Sequence, residues 1–342
     1  MKFRYAFAAV TLFLSFVKPA LALGPTYVRD AISVSTEWTQ ANSPYVLQND
    51  IVVNKGAVLT IDPGVTVQFM APATGKPGSG PNLVIQGGLR AIGNSATPIS
   101  FAPSATGSLW GALYFANSDS VNSILQGCLI KGGRIIFNGC SPTITQCAIY
   151  GSKTGVEVLA NSQAQIVGNR ITANGVGIAL LSDTASPVVS KNEIYNNNFG
   201  IFLKDFGMPT ISDNRIYNNL KYNMVNYSAK LLAVPNNDFR LADAQQIMRT
   251  IYDGAYNPSY GRLNFMPFSG MAVGQTAPAV TASSVASQEQ PTIQEEDFWS
   301  YGRPFDAMKV SNLDSKKQKP SSAIKILAVG ATAVVTVVLL FL

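Results

Sequence analysis

Thr143-Ile-Thr-Gln-Cys-Ala-Ile149, Gln165-Ile-Val-Gly-Asn-Arg-Ile171, Val188-Val-Ser-Lys-Asn-Glu-Ile194 and Thr210-Ile-Ser-Asp-Asn-Arg-Ile216 are one phrase written four times. Each copy begins 22 or 23 residues after the last, registered on Ile144, Ile166, Val189 and Ile211. A second short phrase follows each: Gly155-Val-Glu-Val158, Gly177-Ile-Ala-Leu180, Gly200-Ile-Phe-Leu203 and the decayed Asn223-Met-Val-Asn226. A period in this range marks a repeat architecture. Apolar residues alternate over three to five positions between Asn- and Gly-bearing turns, which is the pattern of very short strands. Strands that short cannot bury an apolar face within one repeat. Stacking each repeat on the next solves this, with equivalent strands about 4.8 Å apart and equivalent side chains aligned up the stack.

Three columns follow from the register. Ile144, Ile166, Val189 and Ile211 form one, and Ile149, Ile171, Ile194 and Ile216 another, both buried. Cys128, Cys147, Asn169, Asn192 and Asn214 form the third, at a turn. A buried Asn in such a column can donate its amide to the Asn of the next rung, and Asn tolerates the left-handed backbone of a tight turn. Cys128 and Cys147 are expected as stacked, unbridged thiols, because neighbours in a column point the same way.

These segments resemble the right-handed parallel β-helix repeat family of exported bacterial proteins, whose architecture is shared with pectate lyases. Further pieces carry the resemblance: Trp38-Thr-Gln-Ala-Asn-Ser-Pro-Tyr-Val46, Gly56-Ala-Val-Leu-Thr-Ile-Asp-Pro-Gly-Val-Thr-Val-Gln-Phe69, Pro98-Ile-Ser-Phe101, Trp110-Gly-Ala-Leu-Tyr-Phe115, Ile251-Tyr-Asp253 and Gly261-Arg-Leu-Asn-Phe-Met-Pro-Phe268. Asn237-Asp-Phe-Arg240 stands where the family often has a tryptophan pair. The resemblance covers about residues 36–268 and implies an all-β, right-handed parallel β-helix. It implies little about activity, because the same coil hosts lyases, hydrolases, adhesins and inert stalks.

The ends of the chain read differently. Lys2 and Arg4, the apolar run Tyr5 to Val17, and Ala20-Leu21-Ala22 form an export signal, so residues 1–22 are expected to be a cleaved signal peptide. Residues 23–45 are an N-terminal cap segment, 46–235 the β-helix and 236–270 a C-terminal cap. In that cap, Leu241, Ala244, Ile247, Met248 and Ile251 repeat at helical spacing, which predicts a helix from Leu241 to Tyr252 over the end of the stack. Residues 271–322 have linker composition with a small acidic patch at Glu295, Glu296 and Asp297, and within it Phe298-Trp-Ser-Tyr301 is either a segment resting on the body or the membrane surface or a docking motif for a partner. Residues 323–342 are apolar enough for one transmembrane helix. The expected location is therefore exported and membrane-anchored, periplasmic or at the cell surface. Lys316, Lys317, Lys319 and Lys325 stand before that helix, against the positive-inside preference.

Composition narrows the chemistry. The 342-residue chain holds no histidine, which excludes a Ser-His-Asp triad, a Cys-His pair and His-ligated metals. Charged residues are only 13%, and the net charge of +6 is not gathered into a stripe that would suit nucleic acid. No cofactor is expected. Polysaccharide cleavage needs clustered carboxylates. In this register Glu193 falls between Arg170 and Arg215, Asp213 beside Lys191, and Glu157 faces outward alone. Asp183 and Asp205 fall near one turn on successive coils and are the only candidate calcium pair. Tyr150, Thr172, Tyr195 and Tyr217 form an outward stripe beside Asn196, Asn197, Asn218 and Asn219. Tyr150, Tyr195, Tyr217, Asn197 and Asn219 are thus the candidate glycan-stacking residues. Three readings stay open: a non-catalytic binding or structural surface for envelope glycans, a carbohydrate-active enzyme on the same fold, and a periplasmic accessory or maturation protein.

Overall fold

The computed structural model describes residues 24–71 and 80–271. The expected signal peptide, the 271–322 linker beyond its first residue and the transmembrane helix lie outside the described residues. Among those described, no helix is long and apolar enough to cross a membrane.

The chain winds as a right-handed parallel β-solenoid. Most coils contribute one strand to each of three parallel sheets, which hold nine, nine and eight strands among the described residues, and a two-stranded sheet pairs Leu232–Ala233 with Leu263–Asn264. In one coil, Thr143–Thr145 belongs to sheet III, Ala148–Tyr150 to sheet I and Thr154–Val158 to sheet II. The next coil repeats this with Gln165–Val167, Arg170–Thr172 and Val176–Leu181. The register is that of the repeat: Ile144 pairs with Ile166, Ile166 with Val189, and Val189 with Ile211. Ile149, Ile171, Ile194 and Ile216 stack likewise and are fully buried.

Two expectations on boundaries change. Thr26–Val28 already pairs with Tyr45–Leu47, and Thr36–Trp38 with Val58–Ile61, so the coil begins inside the segment expected to be a cap. At the other end the helix is shorter than its periodicity suggested. It runs Ala244–Arg249, and Asp243 caps it by accepting a hydrogen bond from the Gln245 N–H. Ile251 and Tyr252 instead add a last strand to sheet II, because that sheet offers an unpaired edge. Ala244, Ile247 and Met248 bury against the coil interior beside Phe239, Phe265 and Phe268, closing that end.

The Asn column runs through Asn169, Asn192 and Asn214 to a further rung at Asn237. Cys147 N–H donates to Asn169 Oδ1 (3.0 Å), Asn169 N–H to Asn192 Oδ1 (2.9 Å), Asn192 N–H to Asn214 Oδ1 (3.0 Å) and Asn214 N–H to Asn237 Oδ1 (2.9 Å). Each Nδ2 also reaches a carbonyl, such as Asn192 to Ile166 O at 2.7 Å. The left-handed residue is not the ladder Asn but the one before it: Gln146, Gly168, Lys191 and Asp213 all have positive φ. Cys128 and Cys147 are buried, unbridged thiols, and so is Cys140. The Cys147 thiol beside it, together with burial, pushes the Cys128 thiol well up.

Candidate functional site

Sheet I is flanked by corners of the same construction. At the second corner a further amide ladder runs from Ser152 through Asn174, Asn197 and Asn219 to Asn223. Asn197 takes the Asn174 N–H on its Oδ1 (3.0 Å), and its Nδ2 donates to Asn219 Oδ1 (3.0 Å) and Ile171 O (3.1 Å). Asn197 is fully buried and Asn219 half-buried, so neither is the outward glycan contact that the sequence suggested. Their amides are consumed by the stack. The signal was available: each of these residues stands five positions after a member of the first ladder. Asn196 and Asn218, in the left-handed conformation, are the exposed members of each pair.

The aromatic stripe lies on the outer face of sheet I next to this corner. Tyr150 pairs with Thr172, Thr172 with Tyr195, and Tyr195 with Tyr217. The Tyr195 and Tyr217 rings stack with centroids 5.3 Å apart and planes within 4°. Tyr217 donates its hydroxyl to Glu193 Oε1 (2.9 Å), and the Arg240 guanidinium lies 5.6 Å from its ring centroid. Burial, followed by the bond to Glu193, raises the Tyr217 hydroxyl above its ordinary value. Tyr217 is thus engaged by Tyr195, Arg240 and Glu193, which suits a structural ring better than a sugar platform. Tyr195 differs. On the rung towards the N-terminus it meets only Thr172, and beyond that Tyr150 holds the equivalent position. Two rungs separate Tyr150 from Tyr195 by ~9.6 Å, and ring contacts need about 4 Å on each side. Thr172, smaller than a ring, occupies the rung between the two tyrosines.

At the corner that follows these residues a cleft of about 450 Å³ is lined by Gly151, Lys153, Asn174, Asn196 and Asn198 among others. A larger cleft of about 630 Å³ lies at the opposite corner, lined by Asn94, Gln146 and Arg170 among others, and neither cleft has an aromatic ring in its lining.

The carboxylates are mostly engaged. Glu193 pairs with Arg170 (3.5 Å) as the register required. Glu157 departs from expectation: it is 2% exposed, and Arg134 on the adjacent rung binds its Oε1 at 3.1 Å. Asp205 and Asp183 have different partners. The Lys230 ammonium sits 2.8 Å from Asp205, while Asp183 is exposed and hydrogen-bonded to Ser182. Burial works to raise Asp205, but Lys230 and the Phe206 N–H outweigh it and hold the carboxyl below its usual range. Among the described residues no group of three or more metal-ligating side chains comes together.

A search of curated proteins finds no match. A solved structure of a mutant of the periplasmic alginate epimerase AlgG aligns with a TM-score of 0.38 at 15% identity, over 62% of this chain and 61% of that one. This chain thus spans under two thirds of that enzyme's length. A family model described as the right handed beta helix region matches residues 111–244, and across that span the chain is a right-handed β-helix.

Proposed function

We propose that this protein is a non-catalytic β-helix that binds glycans of the cell envelope, exported by its N-terminal signal and held at a membrane by its C-terminal apolar run. The observation that carries the reading is the Tyr150–Thr172–Tyr195 column on sheet I, followed in sequence by the corner residues Lys153, Asn196 and Asn198 that line a cleft. A pyranose ring has an apolar face that stacks on aromatic rings and an equatorial rim of hydroxyls. Exposed Asn side chains and an ammonium suit that rim, and a uronate would add a charge for Lys153. The engagement of Glu157, Glu193 and Asp205 by cations supports binding without cleavage.

The test is titration calorimetry against envelope polysaccharide fragments, neutral and uronic. Each ring contact is worth about 0.5–1.5 kcal/mol, so Tyr150→Ala combined with Tyr195→Ala is expected to weaken binding about fivefold or more. Thr172→Trp fills the rung between the two tyrosines and is expected to block binding with the fold intact. Equal affinity in all three proteins overturns the reading, and so does reproducible release of reducing or unsaturated sugar ends by the purified protein.

A further inference from the structure

The three sheets bury their inner faces equally, but their outer faces differ. On sheets I and III most outward side chains are half-buried or exposed, Leu129, Ala148, Thr145 and Ser190 among them. On sheet II the outward column is Val84, Tyr114, Ile136, Glu157, Ala179, Phe202 and Val225, and none of these keeps more than 2% of its surface. Their neighbours Leu113, Phe115, Ile135, Val156 and Ile178 point into the coil, so this column faces away from the core. A sheet surface becomes that dry only under a cover.

Towards the C-terminal end the cover is in view. Tyr227, Tyr256 and Tyr260 fold over Phe202, Tyr222 and Tyr252. Further down, Val84 and Ile136 have no exposed surface yet belong to neither apolar cluster. Here Glu157 also keeps one buried carboxylate oxygen, Oε2, without a hydrogen-bond donor.

We propose that the outer face of sheet II is the docking surface for the chain's own residues 294–301. Residues 72–79 contain no large apolar side chain, and residues 1–22 are read as a signal that is removed. Between Met271 and Tyr301 the aromatic side chains are Phe298, Trp299 and Tyr301, just after Glu295, Glu296 and Asp297. The face offers the complement: an apolar floor of Ile136, Ala179, Phe199 and Phe202 with Arg134, Lys204 and Lys221 along it. A Trp299 indole N–H or Tyr301 hydroxyl also supplies the donor that Glu157 Oε2 lacks. The reach fits. Met271 and Phe298 are 27 residues apart, which for an unconstrained chain spans roughly 26–31 Å. From Tyr252 down to Ile136 is five rungs, ~24 Å.

The chain's three tryptophans make the test direct. Trp38 and Trp110 are 4% and 1% exposed, so acrylamide quenching of the full chain, minus that of Trp299→Phe, isolates Trp299. The expected result is a Trp299 signal several-fold less quenchable than free indole. It becomes quenchable in Lys204→Glu with Lys221→Glu, and also in Glu295→Lys with Glu296→Lys. It is protected again when all four changes are combined. A Trp299 that quenches freely in the unaltered chain overturns the proposal, and so does one that stays protected in both charge variants.

Discussion

Asn192→Leu probes the ladder at its centre. The Asn192 Oδ1 accepts from the Asn169 N–H (2.9 Å) and Nδ2 (3.0 Å), and its own Nδ2 donates to Ile166 O (2.7 Å) and Asn214 Oδ1 (3.0 Å). Leucine removes all four bonds while roughly keeping the volume. Asn169 Nδ2 retains Ile144 O, and Asn214 Oδ1 retains the backbone N–H of residue 192, so neither is abandoned. The Ile166 carbonyl keeps the bond that the parallel pairing of Val167 with Ser190 gives it, and the Asn169 N–H loses its partner inside a dry corner. At about 1–3 kcal/mol for an unsatisfied buried group, the cost is about 1–3 kcal/mol. For a body of this size 1 kcal/mol moves the melting temperature by about 2–4 °C, so a fall of at least about 2 °C is expected. The assay is thermal melting followed by far-ultraviolet circular dichroism, with Gln165→Leu as the control. Gln165 is exposed on sheet III, and its substitution is expected to stay within about 0.5 kcal/mol. An Asn192→Leu protein that melts no lower than this control refutes the ladder as a source of stability.

Residues 23–270 expressed alone are expected to be soluble and to give a β-rich circular dichroism spectrum; a predominantly helical spectrum contradicts the fold. Gly177→Ala is expected to cost about 1–3 kcal/mol in urea denaturation, because the new Cβ would lie 2.5 Å from the Gly200 carbonyl oxygen. An unchanged urea midpoint would mean that the rungs separate freely there. Burial, helped by Tyr256 and Tyr252, pushes the Tyr222 hydroxyl up to about 12. The unfolded chain loses that proton near pH 10, so the contribution of Tyr222 is intact below about pH 10 and fades as pH rises towards the folded value. Tyr222→Phe is expected to flatten that alkaline decline in a pH-resolved melting series, and an identical decline in both proteins counts against it. Finally, a thiol reagent is expected to find none of Cys128, Cys140 and Cys147 reactive until denaturant is added, because all three are buried and free. Immediate labelling of the native protein would contradict their burial.

The repeat made the fold legible because a solenoid writes its tertiary contacts as a sequence period. The Ile144 and Ile149 columns and the ladder from Cys147 to Asn214 could each be read residue against residue. The second ladder was equally periodic but was misread, because Asn beside an outward Tyr looks like surface chemistry until the turn is built. In the turn, the left-handed Asn196 throws Asn197 inward. Glu157 was misread for a related reason. Alternation gives the direction of a side chain correctly, but not what lies over it. The helix from Ala244 lost its last residues to an open sheet edge, a competition that local periodicity does not encode. Arg134 and Lys230, which neutralise Glu157 and Asp205, reach them from rungs whose repeats are too decayed to align by eye.

The ladders also set how the molecule can change in length. Each Asn takes its partners only from the rungs immediately beside it, and successive members lie 22 or 23 residues apart. Excising residues 170–192 would set Asn169 against Asn214 and Ser152 against Asn197, joining donors to acceptors of the same kind as before. Duplicating that block would do the same in reverse. The stack is therefore a modular ruler: its height can drift by whole coils through gain or loss of a single segment.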